Sequence, residues 1–143
     1  MGEALEAATR HVEAFNAHDE RAQVANETPD VEWVMPGGIS LRGPEQVAGM
    51  LRIYWDAFPD VRVEPADRIE AGSTVITEGF FHGTQSGTLR TPQGDIPPSG
   101  NRINLRYVTV QRTKDGRIAS EHLYFDQLDF LGQLGALPAP TAH

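Results

Sequence analysis

The chain has 143 residues, 39% of them hydrophobic, and a net charge of −8. That length suits one domain over 1–143, and folding should bury roughly two-thirds of the unfolded surface. The charge argues against nucleic acid or an anionic membrane as partner, and the lack of cysteine excludes a disulfide, a thiolate nucleophile and a Cys-based metal site. No run approaches the ~18 apolar residues of a spanning helix, and Met1-Gly-Glu-Ala4 lacks a basic, then apolar, leader. The expectation is a soluble cytoplasmic protein.

Leu5, Ala8, Val12 and Phe15 recur at three- and four-residue spacing, which predicts an amphipathic helix from Glu3 to about Ala17. Asp19 can cap a shorter helix through Ala25, which Pro29 should end. The sequon Asn26-Glu-Thr28 is read as accidental. Val31, Trp33 and Met35 alternate as a first strand. Pro44 then takes a first helical position with Glu45 behind it, and Val47, Met50, Leu51, Tyr54, Trp55 and Phe58 form that helix's apolar side.

Beyond residue 60 the period changes from 3.6 to 2. Val61-Arg-Val63, Ser73 to Thr84, and Ile103 to Arg112 read as strands, and Lys114-Asp-Gly116 as a hairpin turn into a last strand from Arg117. Arg90 to Gly100, with three prolines and two glycines, reads as an irregular connection or a lid. Helices first and an antiparallel sheet after is the order of an α+β domain. A curved sheet wrapped over helices forms a cone with a pocket at its open end. Phe15, Trp33, Met35, Trp55, Phe58 and Tyr107 are candidates to line it.

The last strand carries the chemistry. Period 2 places His122, Tyr124 and Asp126 on one face, and Ala119, Glu121, Leu123 and Phe125 on the other. An acid, an imidazole and a phenol on one surface suit proton transfer if that surface lines an apolar cavity. Asp126 also precedes Gln127-Leu-Asp-Phe-Leu-Gly-Gln-Leu134, with Gly135 behind, so it is equally placed to cap a helix. His82 shares a strand face with Ile76, Glu78 and Phe80, and is a candidate either for binding or for satisfying a turn. Arg106 lies on the face of Asn104 and Val108.

Phe15-Asn-Ala-His-Asp19, Phe58-Pro-Asp60, Gly79-Phe-Phe-His-Gly-Thr84, Pro97-Pro-Ser-Gly100, Asp115-Gly-Arg-Ile118, Glu121-His122, Asp126 and Gln133-Leu-Gly135 occur in one order along nearly the whole chain. In this ordered set the chain resembles the SnoaL-like polyketide cyclases of the NTF2-like superfamily. The resemblance implies an α+β cone, a homodimer or higher homo-oligomer, and an apolar cyclic or polyketide-like ligand, with no cofactor and no metal. It further implies intramolecular aldol closure, with the acidic residue after the last strand, here Asp126, moving the protons and His122 in support. Tyr124 could donate to the enolate oxygen. A non-catalytic binding protein, and an isomerase or dehydratase using the same carboxylate, would need the same cavity. Epoxide hydrolysis in related folds uses Arg-x-Asp on one strand, and Arg106-Tyr-Val108 lacks that acid. No Gly-x-Ser-x-Gly elbow supports a serine nucleophile.

Overall fold

The computed structural model describes residues 2–137. Four helices, α1 (Glu3–Asn16), α2 (Glu20–Ala25), α3 (Pro44–Ala57) and α4 (Gln127–Gln133), accompany eight strands. The strands are β1 (Glu27–Met35), β2 (Ile39–Arg42), β3 (Arg62–Ala71), β4 (Thr74–Thr84), β5 (Leu89–Thr91), β6 (Gly94–Ile96), β7 (Arg102–Lys114) and β8 (Arg117–Tyr124). Six of them form one sheet in the order β2-β1-β8-β7-β4-β3. Every neighbouring pair is antiparallel except β1–β8. This is the mainly antiparallel α+β sheet that the change of period predicts.

The local signals act as expected at most ends. Asp19 Oδ1 accepts from Ala22 N at 3.0 Å and starts α2. Pro44 opens α3, where its missing N–H costs nothing. Asp115 (φ 52°) and Gly116 (φ 75°) take the left-handed conformations that a tight β7–β8 hairpin requires. Three readings need correction. Asn26, not Pro29, ends α2, and Pro29 lies inside β1. A short strand, β2, folds back on β1 and carried too little pattern to be read.

The third correction concerns the Pro/Gly-rich stretch, which forms the hairpin β5–β6 rather than an irregular connection. Its anchor is Gln85, which is fully buried. The Gln85 amide donates to the carbonyls of Gly87, Ile96 and Pro97 and accepts from Ser99 N. Gly87 sits so close to α3 that a Cβ there would lie 2.1 Å from Asp56 O. The connection is therefore fastened to the body of the domain at both of its ends.

Along β7 the buried residues are Ile103, Leu105, Tyr107, Thr109 and Gln111, an unbroken period of two. The helices cover this face. The core joins it to Phe15 of α1, Leu51 and Trp55 of α3, Phe58, and Phe130 of α4. The opposite face carries Ile76 (40% exposed), Phe80 with Arg106 stacked above its ring at 5.4 Å, and Tyr124 (55% exposed).

Candidate functional site

Between the helices and the sheet lies a cavity of about 90 Å3. Its residues fall in rows because partners in register share a face. The deepest row sets Trp33 of β1, Glu121 of β8 and Gln111 of β7 side by side. The next holds Leu123, Thr109 and Thr77. Gly79 and Tyr107 follow, then Phe81 and Leu105. Phe15, Met35, Met50, Tyr54, Phe125 and Phe130 complete an almost wholly apolar wall.

The acid and the imidazole of the lining meet at the floor. Glu121 is 2% exposed. Its Oε1 accepts from Gln111 Nε2 at 2.6 Å and lies 3.3 Å from Nε2 of His11, which α1 contributes. Both contacts fall on one oxygen, and neither Gln111 nor His11 engages Oε2. The His11 ring also packs against Trp33, with centroids 5.6 Å apart. A carboxylate whose first oxygen is fixed by an amide and an imidazole presents its second as an oriented acceptor.

Two phenols share the cavity. Burial pushes Tyr107 up to about 12, with the negative charge of Glu121 adding and the Arg68 guanidinium opposing. Burial likewise pushes Tyr54 up to about 12. Both stay protonated near neutrality and can donate. The Tyr107 ring fits only because residue 79 is glycine: a Cβ there would meet the Tyr107 hydroxyl at 2.9 Å and Glu64 O at 2.7 Å.

Glu27, at the start of β1, is also buried at 2% exposure, and neither of its oxygens has a hydrogen-bond partner among the described residues. Burial first, and the charge of Glu121 second, push it up to about 8. It is a neutral carboxyl at pH 7. Its neighbour Asn26 is buried too, with its amide donating to Ala7 O, so the sequon offers no accessible acceptor.

The expected site residues divide. Phe15, Trp33, Met35 and Tyr107 line the cavity. Trp55 lies behind that lining, with Phe15 at 6.0 Å on one side and His18 stacked at 5.2 Å on another. Phe58 is fully buried packing against Phe81 and Phe130. His82 points away from the cavity and pairs with Glu64 at 3.1 Å.

His122, Tyr124 and Asp126 also lie outside the lining, which corrects the expected site. The β8–β7 register pairs His122 with Val110 and Tyr124 with Val108, both on the outer face. Asp126 is exposed, and its Oδ1 accepts from Leu128 N at 2.9 Å and Asp129 N at 3.1 Å as the N-cap of α4. The face of this strand that lines the cavity is the alternate one. Glu121 shares it with Leu123 and Phe125, and a charge set among apolar neighbours on a core-facing stripe was the readable signal. His11 carries the same signal between Ala8 and Phe15 on the apolar side of α1.

The SnoaL-like domain model matches residues 8–121, and the chain belongs to that family. No curated protein matches it. Among solved structures, the fold is similar to a protein assigned as a SnoaL-like polyketide cyclase from Jannaschia sp. CCS1. The TM-score there is 0.83 and the identity 21%, over 95% of this chain and 94% of that one. It is similar as well to IdmH, assigned as a polyketide cyclase, from Streptomyces antibioticus, with TM-score 0.79, 25% identity and coverage of 94% and 99%. An epoxide hydrolase of the LEH-like type from M. tuberculosis matches with TM-score 0.72, 23% identity and coverage of 92% and 89%. Among the described residues no helix is long and apolar enough to cross a membrane.

Proposed function

We propose that the protein is a cofactor-independent acid–base catalyst that acts on an apolar carbonyl compound, with aldol-type ring closure as its reaction. The observation that carries this reading is the floor of the cavity. One carboxylate, Glu121, is held through a single oxygen by Gln111 and His11 inside an apolar chamber. A carbon next to a carbonyl yields its proton more readily when the enolate oxygen is hydrogen-bonded, and a base held in one orientation beside it needs no reorganisation to take that proton.

Glu121 Oε2 takes the α-proton, and the C–H electron pair moves into the enolate. The enolate carbon attacks the second carbonyl of the same molecule, forming the C–C bond. The resulting alkoxide then recovers the proton from the Glu121 carboxyl. Tyr107 supplies a neutral donor to developing oxygen charge, and His11 orients the base. An isomerase would use the same first step, and a pure binding protein would use none of them.

Incubation with an aryl 1,5-diketone that can close to a six-membered β-hydroxy ketone tests this reading. The protein should accelerate formation of the cyclic β-hydroxy ketone, followed by NMR, and Glu121→Gln should lose about two to four orders of magnitude of that rate. Exchange of α-protons with solvent but no closure would favour the isomerase. Tight binding with neither would leave the binding protein.

A further inference from the structure

Above the floor, the apolar wall is interrupted by two threonines. Thr77 of β4 and Thr109 of β7 are direct cross-strand partners, 4% and 7% exposed, and both line the cavity. Their side chains point to the same face at roughly 5 Å separation. Neither hydroxyl has a hydrogen-bond partner among the described residues, and they do not bond each other. Valine has the same shape and would fill either site without a polar atom to satisfy. Two hydroxyl-bearing side chains side by side on one wall of a chamber of Phe, Leu and Met are matched to an oxygen brought by the ligand.

We propose that the Thr77–Thr109 pair is a recognition site for a second oxygen substituent, hydroxyl or carbonyl, of the molecule whose first oxygenated end lies at Glu121. Thr109 is two residues from Gln111 along β7, about 7 Å, which is roughly the span of a small ring system with an oxygen at each end. The ligand class is therefore a flat, apolar ring compound oxygenated on opposite edges. This deepens the acid–base reading of the same cavity, on which it rests for the position of the first oxygen.

Binding of naphthalene, 2-naphthol and 2,6-dihydroxynaphthalene, followed by quenching of Trp33 fluorescence, tests the assignment without any turnover. The wild-type protein should prefer the diol to 2-naphthol by about threefold to tenfold, the usual worth of one additional hydrogen bond. The Thr77→Val/Thr109→Val variant should bind diol and 2-naphthol equally. Its melting temperature should stay close to that of the wild type, since valine has the shape of threonine and the pair lines a cavity rather than the packed core. A variant that keeps the wild-type preference, or a wild-type protein that binds naphthalene as tightly as the diol, overturns the assignment. Diol discrimination in a protein without turnover keeps the threonine site and removes the catalytic reading. Turnover without discrimination does the reverse.

Discussion

The imidazole of His11, from the first helix, stands 3.3 Å from the carboxylate of Glu121, on the last strand. The contact ties the two ends of the chain together at the floor of the cavity. It also separates the roles of the two acids near the C-terminus: Glu121 faces the chamber, whereas Asp126 caps a helix at the surface.

Asp126 accordingly carries a stability effect. Asp126→Ala should cost about 1 kcal/mol, the usual loss of an N-cap side chain, and Asp126→Asn should cost far less because the amide oxygen still accepts from Leu128 N and Asp129 N. Thermal melts of the two variants check the order.

Glu27 should make stability depend on pH. Its carboxyl is raised from 4.5 to about 8 in the folded chain. The folded state therefore holds a proton that the unfolded chain has released. Its contribution is fully present below about pH 4.5 and is lost as pH rises toward 8, with a slope near 1.4 kcal/mol per pH unit. Glu27→Gln should flatten that window and be the more stable protein at pH 8. Denaturant melts at pH 5, 6.5 and 8 on both proteins measure the difference.

Gly79→Ala should be destabilising by about 1–3 kcal/mol, because the new methyl group meets both the Tyr107 hydroxyl and a backbone oxygen of β3. Pairing it with Tyr107→Phe removes the hydroxyl contact but keeps the ring carbon at 3.0 Å and the backbone oxygen at 2.7 Å. The double variant should recover part of the loss, and a double-mutant cycle on melting free energies gives the share.

The outer face of the sheet, with Ile76 and Tyr124 exposed beside Val108 and Val110, is the surface we expect a second copy to cover. Light scattering should return twice the chain mass at micromolar concentration, and Ile76→Glu with Tyr124→Glu should return it to the monomer. Leu123 and Phe125 turn the other way and line the cavity, so they take no part in that surface.

Much of the architecture was legible in the sequence because it rests on local physics. The 3.6-residue stripe of α1, Pro44 at the head of α3, and Asp115-Gly116 between β7 and β8 each specify their element without help from the rest of the chain. The short strand β2 and the hairpin β5–β6 were not legible. Their order comes from pairing partners and from the buried amide of Gln85 rather than from their own residues. On β8 the period was legible and its phase was not. The strand offers His122, Tyr124 and Asp126 on one side and a single acid among apolar residues on the other. Only the covering helices decide which side is the inside.

The central claim is that Glu121, and not Asp126, is the base. Solvent-deuterium exchange into the α-positions of 2-tetralone, followed by NMR on wild-type, Glu121→Gln and Asp126→Asn proteins, measures it most directly. If Glu121 is the base, exchange is catalysed in the wild type, unchanged in Asp126→Asn, and slower by about two to four orders of magnitude in Glu121→Gln with folding retained. A Glu121→Gln protein that exchanges as fast as the wild type, or an Asp126→Asn protein that alone loses the activity, would contradict it.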